Sequence, residues 1–204
     1  MIPDIEIPIK CCYLYDKPYQ PENTTQGHQQ ILMSLADGAD LIFEFGTFKG
    51  RTVVNWLANT HATIFTLDIE EREFEYLDRV RKIGEEEIND DYKCQTYIYE
   101  NRILTQFIYD SRKFVIGDWS ELFDLVFVDA CHDYPATIND IRKAIAMVKP
   151  GGKVAVHDYN PPHWAGVAQA IDELVAEGYP FYRVNHTEIA LYTKPARIAG
   201  KETK

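Results

Sequence analysis

The chain has no apolar run long enough to span a bilayer, no C-x-x-C pair and a shortage of positive charge. Each absence closes off a class of function. A membrane-spanning helix needs about 20 mostly apolar residues. The opening Met1-Ile-Pro-Asp-Ile-Glu6 carries acids where a secretory leader carries bases, so a cytoplasmic protein is expected, without membrane partners. Lys and Arg number 21 against 32 Asp and Glu, for a formal net charge of −11 and a pI near 5.0. No global field draws such a chain to nucleic acid, and a small-molecule partner is expected instead. The four cysteines, Cys11, Cys12, Cys94 and Cys131, fall in no zinc-binding spacing. Reduced thiols are expected, with Cys131 a small pocket-lining residue.

What is present is one core's worth of apolar residues: 204 residues, 46% hydrophobic and 13% aromatic, enough for one substantial core and too few for two full domains. The most informative stretch is Asp40-Leu-Ile-Phe-Glu-Phe-Gly-Thr-Phe-Lys-Gly-Arg-Thr52. An apolar run broken only by Glu44 reads as a buried strand, and Val53, Trp56 and Leu57 recur at helical spacing after the turn. Gly46 and Gly50 permit close backbone approach, and the following helix aims free amides at whatever occupies the turn. Dinucleotide binding normally reads G-x-G-x-x-G. Here the spacing is G-x-x-x-G, so a ligand without a pyrophosphate fits better. Glu44 offers an acceptor for an ammonium group above the turn, as in an amino-acid-bearing nucleoside.

Strand and helix patterns alternate along the rest. A helix is expected over 24–37, with Thr24 or Thr25 as its cap, and strands over 41–45, 62–67, 114–117, 124–129 and 153–158. Further helices are expected over 74–83, 103–111, 138–148 and 165–176. Segments 181–185 and 189–193 read as a closing antiparallel hairpin around His186-Thr-Glu188. The expected organisation is an arm and helix over 1–39, one folded body over 40–194 with an insertion at about 85–110, and a polar tail over 195–204. The acidic run Glu85-Glu-Glu87 and the tyrosines of the insertion suit a substrate-facing flap, an oligomer contact or a solvated loop, and a homo-oligomer stays open. The fold class is α/β: a single Rossmann-like doubly wound sheet, mostly parallel, with a C-terminal antiparallel hairpin.

In such folds ligands sit at the carboxyl ends of the strands, and Asp68, Asp118, Asp129 and Asp158 all fall on that rim. Asp68 follows Gly46 by 22 positions, close to the roughly 20-residue offset at which an acid grips ribose hydroxyls. Gly117-Asp118-Trp119 offers a carboxylate for an adenine amino group and an indole to cover the base.

The order of these motifs over about 40–194 resembles the class I S-adenosylmethionine-dependent methyltransferases. Phe127-Val-Asp-Ala-Cys-His-Asp-Tyr134, then Lys149-Pro-Gly-Gly152, then Val156-His-Asp-Tyr159 are similar to the small-molecule type, whose pattern is F-I-D-G-x-H-x-Y, P-G-G and H-D-Y. The resemblance implies S-adenosylmethionine as cofactor and methyl transfer to a small acceptor, a hydroxyl above all. It puts Glu44, Gly46, Thr47 and Gly50 around the methionine part, Asp68 on the ribose, Asp118 and Trp119 at adenine, and Asp129 and His132 at the methyl group. It makes His132 the base, with Asp129, Asp133 or Asp158 orienting it, and Asp129 and Asp158 ligands for a divalent metal such as Mg²⁺. The third metal ligand of the related catechol-type enzymes is Asn, where this chain has Tyr159. A neutral phenol is a poor Mg²⁺ ligand, so an obligatory metal is not expected. His157 has weaker standing than His132, because neighbours in a strand face opposite ways.

Two other functions use the same architecture. A nicotinamide-dependent oxidoreductase would differ in its phosphate-binding glycines, and a non-catalytic binding module would keep the fold without turnover.

Overall fold

The computed structural model describes residues 1–10, 25–70, 81–89, 92–160 and 162–197. Its strands are β1 (Asp4–Ile5), β2 (Leu41–Phe45), β3 (Thr63–Asp68), β4 (Arg81–Asn89), β5 (Tyr92–Tyr99), β6 (Arg102–Ile108), β7 (Phe123–Val128), β8 (Val148–Val156), β9 (Phe181–Val184) and β10 (Ala190–Thr193). The helices are α1 (Thr25–Leu35), α2 (Arg51–Asn59), α3 (Tyr134–Met147) and α4 (Ala165–Ala176). All described strands form one sheet in the order β1-β9-β10-β8-β7-β2-β3-β6-β5-β4. Its centre, β8-β7-β2-β3-β6, is parallel. The expected C-terminal hairpin is there, with β10 antiparallel to β9 and to β8. From β1 at one edge the chain enters the centre at β2, passes to β3, runs out to β4 at the far edge and comes back through β5 to β6 beside β3, then crosses to the other side of β2 with β7. That reversal between β2 and β7 is the switch point where doubly wound sheets bind ligands.

Period-two alternation in β2 explains the two-layered core. Phe43 and Phe45 pack into one cluster with α3 and α4 residues such as Ile141 and Ile171. Ile42 packs into the other with Ile31, Val53 and Trp56 of α1 and α2. Each cluster buries well over a dozen apolar side chains at roughly 1.5–3 kcal/mol apiece, which makes the sheet a firm base for its loops.

Two expectations fail here, and a third fails in part. Residues 103–111 are not helical; 102–108 form β6, which fills the slot beside β3. The run Ile103-Leu-Thr-Gln-Phe-Ile108 alternates, with Leu104 and Gln106 fully buried and Ile103 exposed, and period two wins over the helical reading. Residues 114–117 are therefore not a strand: Phe114 is buried, Val115 is 82% exposed, and a short 3-10 turn follows at Gly117–Trp119. The insertion is a β-meander, β4-β5-β6, with Glu85, Glu86 and Glu87 exposed on the outermost strand, as suits a strand at a sheet edge. Of the helix expected over 74–83, residues 81–83 are strand and 71–80 lie outside the described residues, as do most of the N-terminal arm and residues 198–204. Residues 4 and 5 form a parallel edge strand on β9, pinned by Arg183 Nε donating to Asp4 Oδ1 at 2.8 Å. No helix among the described residues is long and apolar enough to cross a membrane.

Candidate active site

A cavity of about 1210 Å³ opens at the carboxyl ends of β2, β3, β7 and β8, larger than the roughly 300–1,000 Å³ of a typical ligand pocket. One end is built on the glycine turn. Gly46 has φ 94°, and a Cβ there would sit 2.0 Å from the Asp129 carbonyl oxygen. The residue is glycine because the β2 and β7 ends touch: Gly46 N–H donates to Leu67 O and Asp129 N–H to Phe45 O, both at 2.8 Å. Its close approach is to Asp129's backbone. Gly50, φ 76°, closes the turn as the residue before α2 and lies outside the cavity lining.

Asp68 organises this turn. Its Oδ2 accepts the N–H groups of Thr47 at 3.0 Å and Phe48 at 2.9 Å, two charge-assisted bonds that hold the loop in its left-handed bend at Phe48 (φ 44°). Thr47 Oγ1 meets Thr66 Oγ1 at 2.7 Å, and Thr66 Oγ1 donates to Glu44 Oε2 at 3.0 Å. Glu44 is 2% exposed. Burial pushes its carboxyl well above the usual glutamate range, with Asp129 and Asp68 adding to the shift and the Thr66 hydroxyl opposing it. Among the described residues no cation pairs with it, so the cavity presents a buried carboxylate that lacks its positive charge.

At the other end four titratable groups meet. His132 Nε2 lies 2.7 Å from Asp158 Oδ2. His157 Nδ1 lies 3.1 Å from Asp158 Oδ1 and 3.4 Å from Asp129 Oδ1, in ion-pair range without hydrogen-bond geometry. The Asp158 bond raises the pKa of His132. Burial works against a charged His157, but Asp129 and Asp158 outweigh it and push its pKa up to about 10. Burial likewise disfavours the Asp158 carboxylate, and the two imidazoles more than compensate, holding it far below the usual carboxylate range. Donor atoms of Asp129, His132 and Asp158 come within 4.8 Å of one another, a set able to take a divalent cation.

His157 was underrated by strand alternation. β8 ends at Val156 and Asp158 takes φ 59°, so the alternation rule stops one residue too early and both side chains reach the cavity. Tyr159, by contrast, turns into the core, 4% exposed, where its hydroxyl accepts the Ile2 N–H at 3.4 Å. It takes no part in the donor set.

The adenine expectation is corrected. Asp118 is exposed, and Trp119 sits in an aromatic cluster, 5.3 Å from Phe65 and Phe107 and 5.6 Å from Phe43 and Phe123. Neither lines the cavity. The rim beside Asp68 is supplied instead by Tyr109, Asp110, Ser111 and Arg112, directly after β6. They follow β6, whose apolar residues also fit a helical spacing, so the sequence marks no strand end there.

Two more residues escaped the sequence. Trp164 stacks on His132, ring centroids 4.1 Å apart at 24°, and Gly166 lets α4 approach that loop, since a Cβ would lie 2.3 Å from the His132 carbonyl oxygen. His28 of α1 places Nδ1 2.8 Å from His157 Nε2; a lone histidine on an amphipathic helix carries no signal of this. Cys131 is exposed, reduced and part of the lining.

A family model described as a methyltransferase domain matches residues 43–159, over half of the chain. No curated protein matches. Among solved structures the chain is similar to the N-methyltransferase NodS from Bradyrhizobium japonicum WM9, at 15% identity and TM-score 0.54 over 86% of this chain and 99% of that one. It is similar to the O-methyltransferase from Bacillus cereus in complex with SAH, at 16% identity and TM-score 0.54 over 86% and 84%. MycE methyltransferase from the mycinamycin biosynthetic pathway, in complex with Mg and SAH, aligns at 15% identity and TM-score 0.57 over 93% of this chain and 55% of its own. At these identities the likeness shows the fold.

Proposed function

The chain belongs to the methyltransferase-domain family, and from that premise we propose that it transfers the methyl group of S-adenosylmethionine to a hydroxyl of a small molecule. The observation that carries this reading is the pairing of a buried, uncompensated Glu44 at one end of the cavity with the His132–Asp158 contact at the other. Bound there, S-adenosylmethionine supplies an electrophilic methyl on a sulfonium. Glu44 would receive the ammonium group, whose charge would offset the cost of that carboxylate's burial. Asp68 keeps the Thr47–Phe48 amides in place and would hold the ribose, and the Tyr109–Arg112 rim would hold the base.

His132 is the general base. Asp158 is an acceptor, so Nε2 carries the proton of the neutral ring and Nδ1 is left with the lone pair. Asp158 also stabilises the imidazolium that forms when Nδ1 takes the acceptor's proton, which is what raises the basicity of the ring. Trp164 covers one face of the imidazole and limits its rotation. Positioning provides most of the remaining rate.

The Asp129, His132 and Asp158 donors fit a divalent cation: two carboxylates suit Mg²⁺, which keeps several waters. A cation there would supply Lewis acidity at the acceptor oxygen, leaving His132 either as base or as nitrogen ligand. Manganese binding followed by electron paramagnetic resonance distinguishes the two. Loss of binding in Asp158→Asn but not in His132→Gln assigns the base role to His132.

Thermal shift tests the cofactor reading. S-adenosylhomocysteine should raise the melting temperature and NAD should not; the opposite result would make the chain a nicotinamide-dependent oxidoreductase. Turnover of labelled S-adenosylmethionine across a library of hydroxylated acceptors then separates an enzyme from a binding module.

A further inference from the structure

His28 lies outside the loops that carry the reacting groups, yet it is bonded to them. It belongs to α1, is 3% exposed, and meets His157 edge-on, ring centroids 4.9 Å apart at 76°. Its Nδ1 is 2.8 Å from His157 Nε2, and the Glu188 N–H, from the loop between β9 and β10, reaches its Nε2 at 3.4 Å. His157 therefore spans the gap between α1 and the carboxylates, with Nε2 on His28 and Nδ1 toward Asp158 and Asp129 at 3.1 and 3.4 Å.

The chemistry of imidazole restricts what this line of groups can be. If His157 accepted a proton from His28 at Nε2, its own proton would sit on Nδ1. If His157 were an imidazolium, Nδ1 would again carry a proton. Only a neutral His157 that donates from Nε2 would leave an Nδ1 lone pair, and that lone pair would face two carboxylates, which disfavour it. In both acceptable forms an N–H of His157 points between Asp129 and Asp158. Burial first, and the neighbouring His157 second, hold His28 neutral. The Glu188 N–H on its Nε2 puts its proton on Nδ1, so these contacts select the first form, and an imidazolium His157 would move the His28 proton to Nε2 at the expense of the 3.4 Å Glu188 contact.

We propose that His28 is a positioning residue for the reacting end of the cavity: by holding His157 Nε2 it keeps the His157 Nδ1–H between Asp129 and Asp158, and so sets how Asp158 presents its other oxygen to His132. This rests on the reading of His132 as base, and extends that site to a helix on the far side of β8. Without His28, Nε2 of the partly buried His157 loses its partner and the ring is free to turn. Asp158 Oδ1 then loses the imidazole 3.1 Å away that fixes the orientation of its carboxyl group, and the Oδ2 contact to His132 changes with it.

The test uses the full chain, labelled with ¹⁵N-histidine, in the presence of a chelator. Long-range ¹H–¹⁵N spectra report the tautomer and hydrogen bonding of each ring, with His132→Gln and His157→Gln assigning the signals. His28→Ala should move the ring signals of both His157 and His132 and leave those of His61 and His163 in place. His28→Asn, whose amide can donate or accept, should return them part of the way. Should His28→Ala fail to fold, His28→Phe fills the volume without a polar atom and gives the same comparison. Unmoved His132 signals in a folded variant would overturn the proposal. With an acceptor from the library, kcat should fall at least 10-fold while the KM for S-adenosylmethionine stays within about twofold; equal loss in both would mark a structural role. Failure of S-adenosylhomocysteine to bind the wild type would remove the proposed function, while the spectra would still report whether His28 sets the state of His132.

Discussion

Asp158 Oδ2 stands 2.7 Å from His132 Nε2, and this contact decides which nitrogen of the imidazole is available to take a proton. Asp158 accepts, so Nε2 is the protonated nitrogen and Nδ1 the basic one. Replacing His132 by Ala removes the proposed base without touching the glycine turn. Methyl transfer to a hydroxyl should fall by about 10²–10⁴-fold, while the calorimetric affinity for S-adenosylhomocysteine stays within about twofold. A matching fall in affinity would mean that His132 binds cofactor.

Asp68 predicts the complementary result. Its Oδ2 holds both the Thr47 and Phe48 amides, so Asp68→Ala loses two hydrogen bonds to a charged group, about 1.5–3 kcal/mol each where buried, along with the ribose contact proposed for it. Affinity for S-adenosylhomocysteine should drop at least 10-fold. If the turn were held by other means, binding would survive, and calorimetry on the variant would show it.

How far the sequence could be read depended on whether a residue's role was local. Glu44, Gly46 and Thr47 stand in consecutive order on a strand and its turn, and the cavity does gather them with Asp68, Asp129, His132 and Asp158. The parallel centre of the sheet and the closing hairpin follow from alternation and punctuation that any window of the chain displays. The misread elements share a different cause. Residues 102–108 contain apolar residues at both two- and three-residue spacings, and only pairing with β3 on one side and β5 on the other selects the strand. Asp118 and Trp119 imitate an adenine motif because a Gly-Asp-Trp run looks alike at a cavity rim and beneath a sheet. His28 and Trp164 reach the site from 129 residues upstream of His157 and 32 residues downstream of His132, through packing that no local pattern encodes.

Gly46 should be intolerant of any side chain. With φ 94° and a Cβ position 2.0 Å from the Asp129 carbonyl oxygen, alanine meets both backbone strain and a clash with backbone that cannot step aside. The two together should cost about 3–5 kcal/mol, read from urea denaturation midpoints. Gly38, at φ 73° with nothing within 4 Å of its Cβ position, provides the control: alanine there should cost only about 1–2 kcal/mol.

Glu44→Gln should separate stability from binding. The folded state favours the protonated carboxyl, so ionising Glu44 is a cost that is absent below the ordinary glutamate pKa and grows as pH rises through the folded one. The amide removes that cost. The variant should melt above the wild type at neutral pH, with the gain shrinking toward pH 4, and should bind S-adenosylhomocysteine at least 10-fold more weakly for want of a charge opposite the ammonium. A variant that melts lower at neutral pH would mean that the carboxylate has a cation after all.

The His157–Asp158 contact carries the opposite pH signature. His157 has a folded pKa pushed up to about 10 from 6.5. Its contribution is therefore fully present below pH 6.5 and is lost as pH rises through about 10. Asp158 is held far below its ordinary 3.8, so its own contribution is complete above that value and is lost only in strong acid. In chelator, the difference in melting temperature between wild type and His157→Gln should be widest between about pH 4 and 6.5, where both groups are charged. It should shrink steadily toward pH 10, as the stability difference behind it falls by an amount on the order of a few kcal/mol. The same series in Mg²⁺ gives a second reading: a cation held by Asp129 and Asp158 competes with the imidazolium for the same oxygens, so the alkaline slope should flatten. A slope unchanged by Mg²⁺ and abolished by His157→Gln would show that the imidazolium, and no metal, neutralises the two carboxylates.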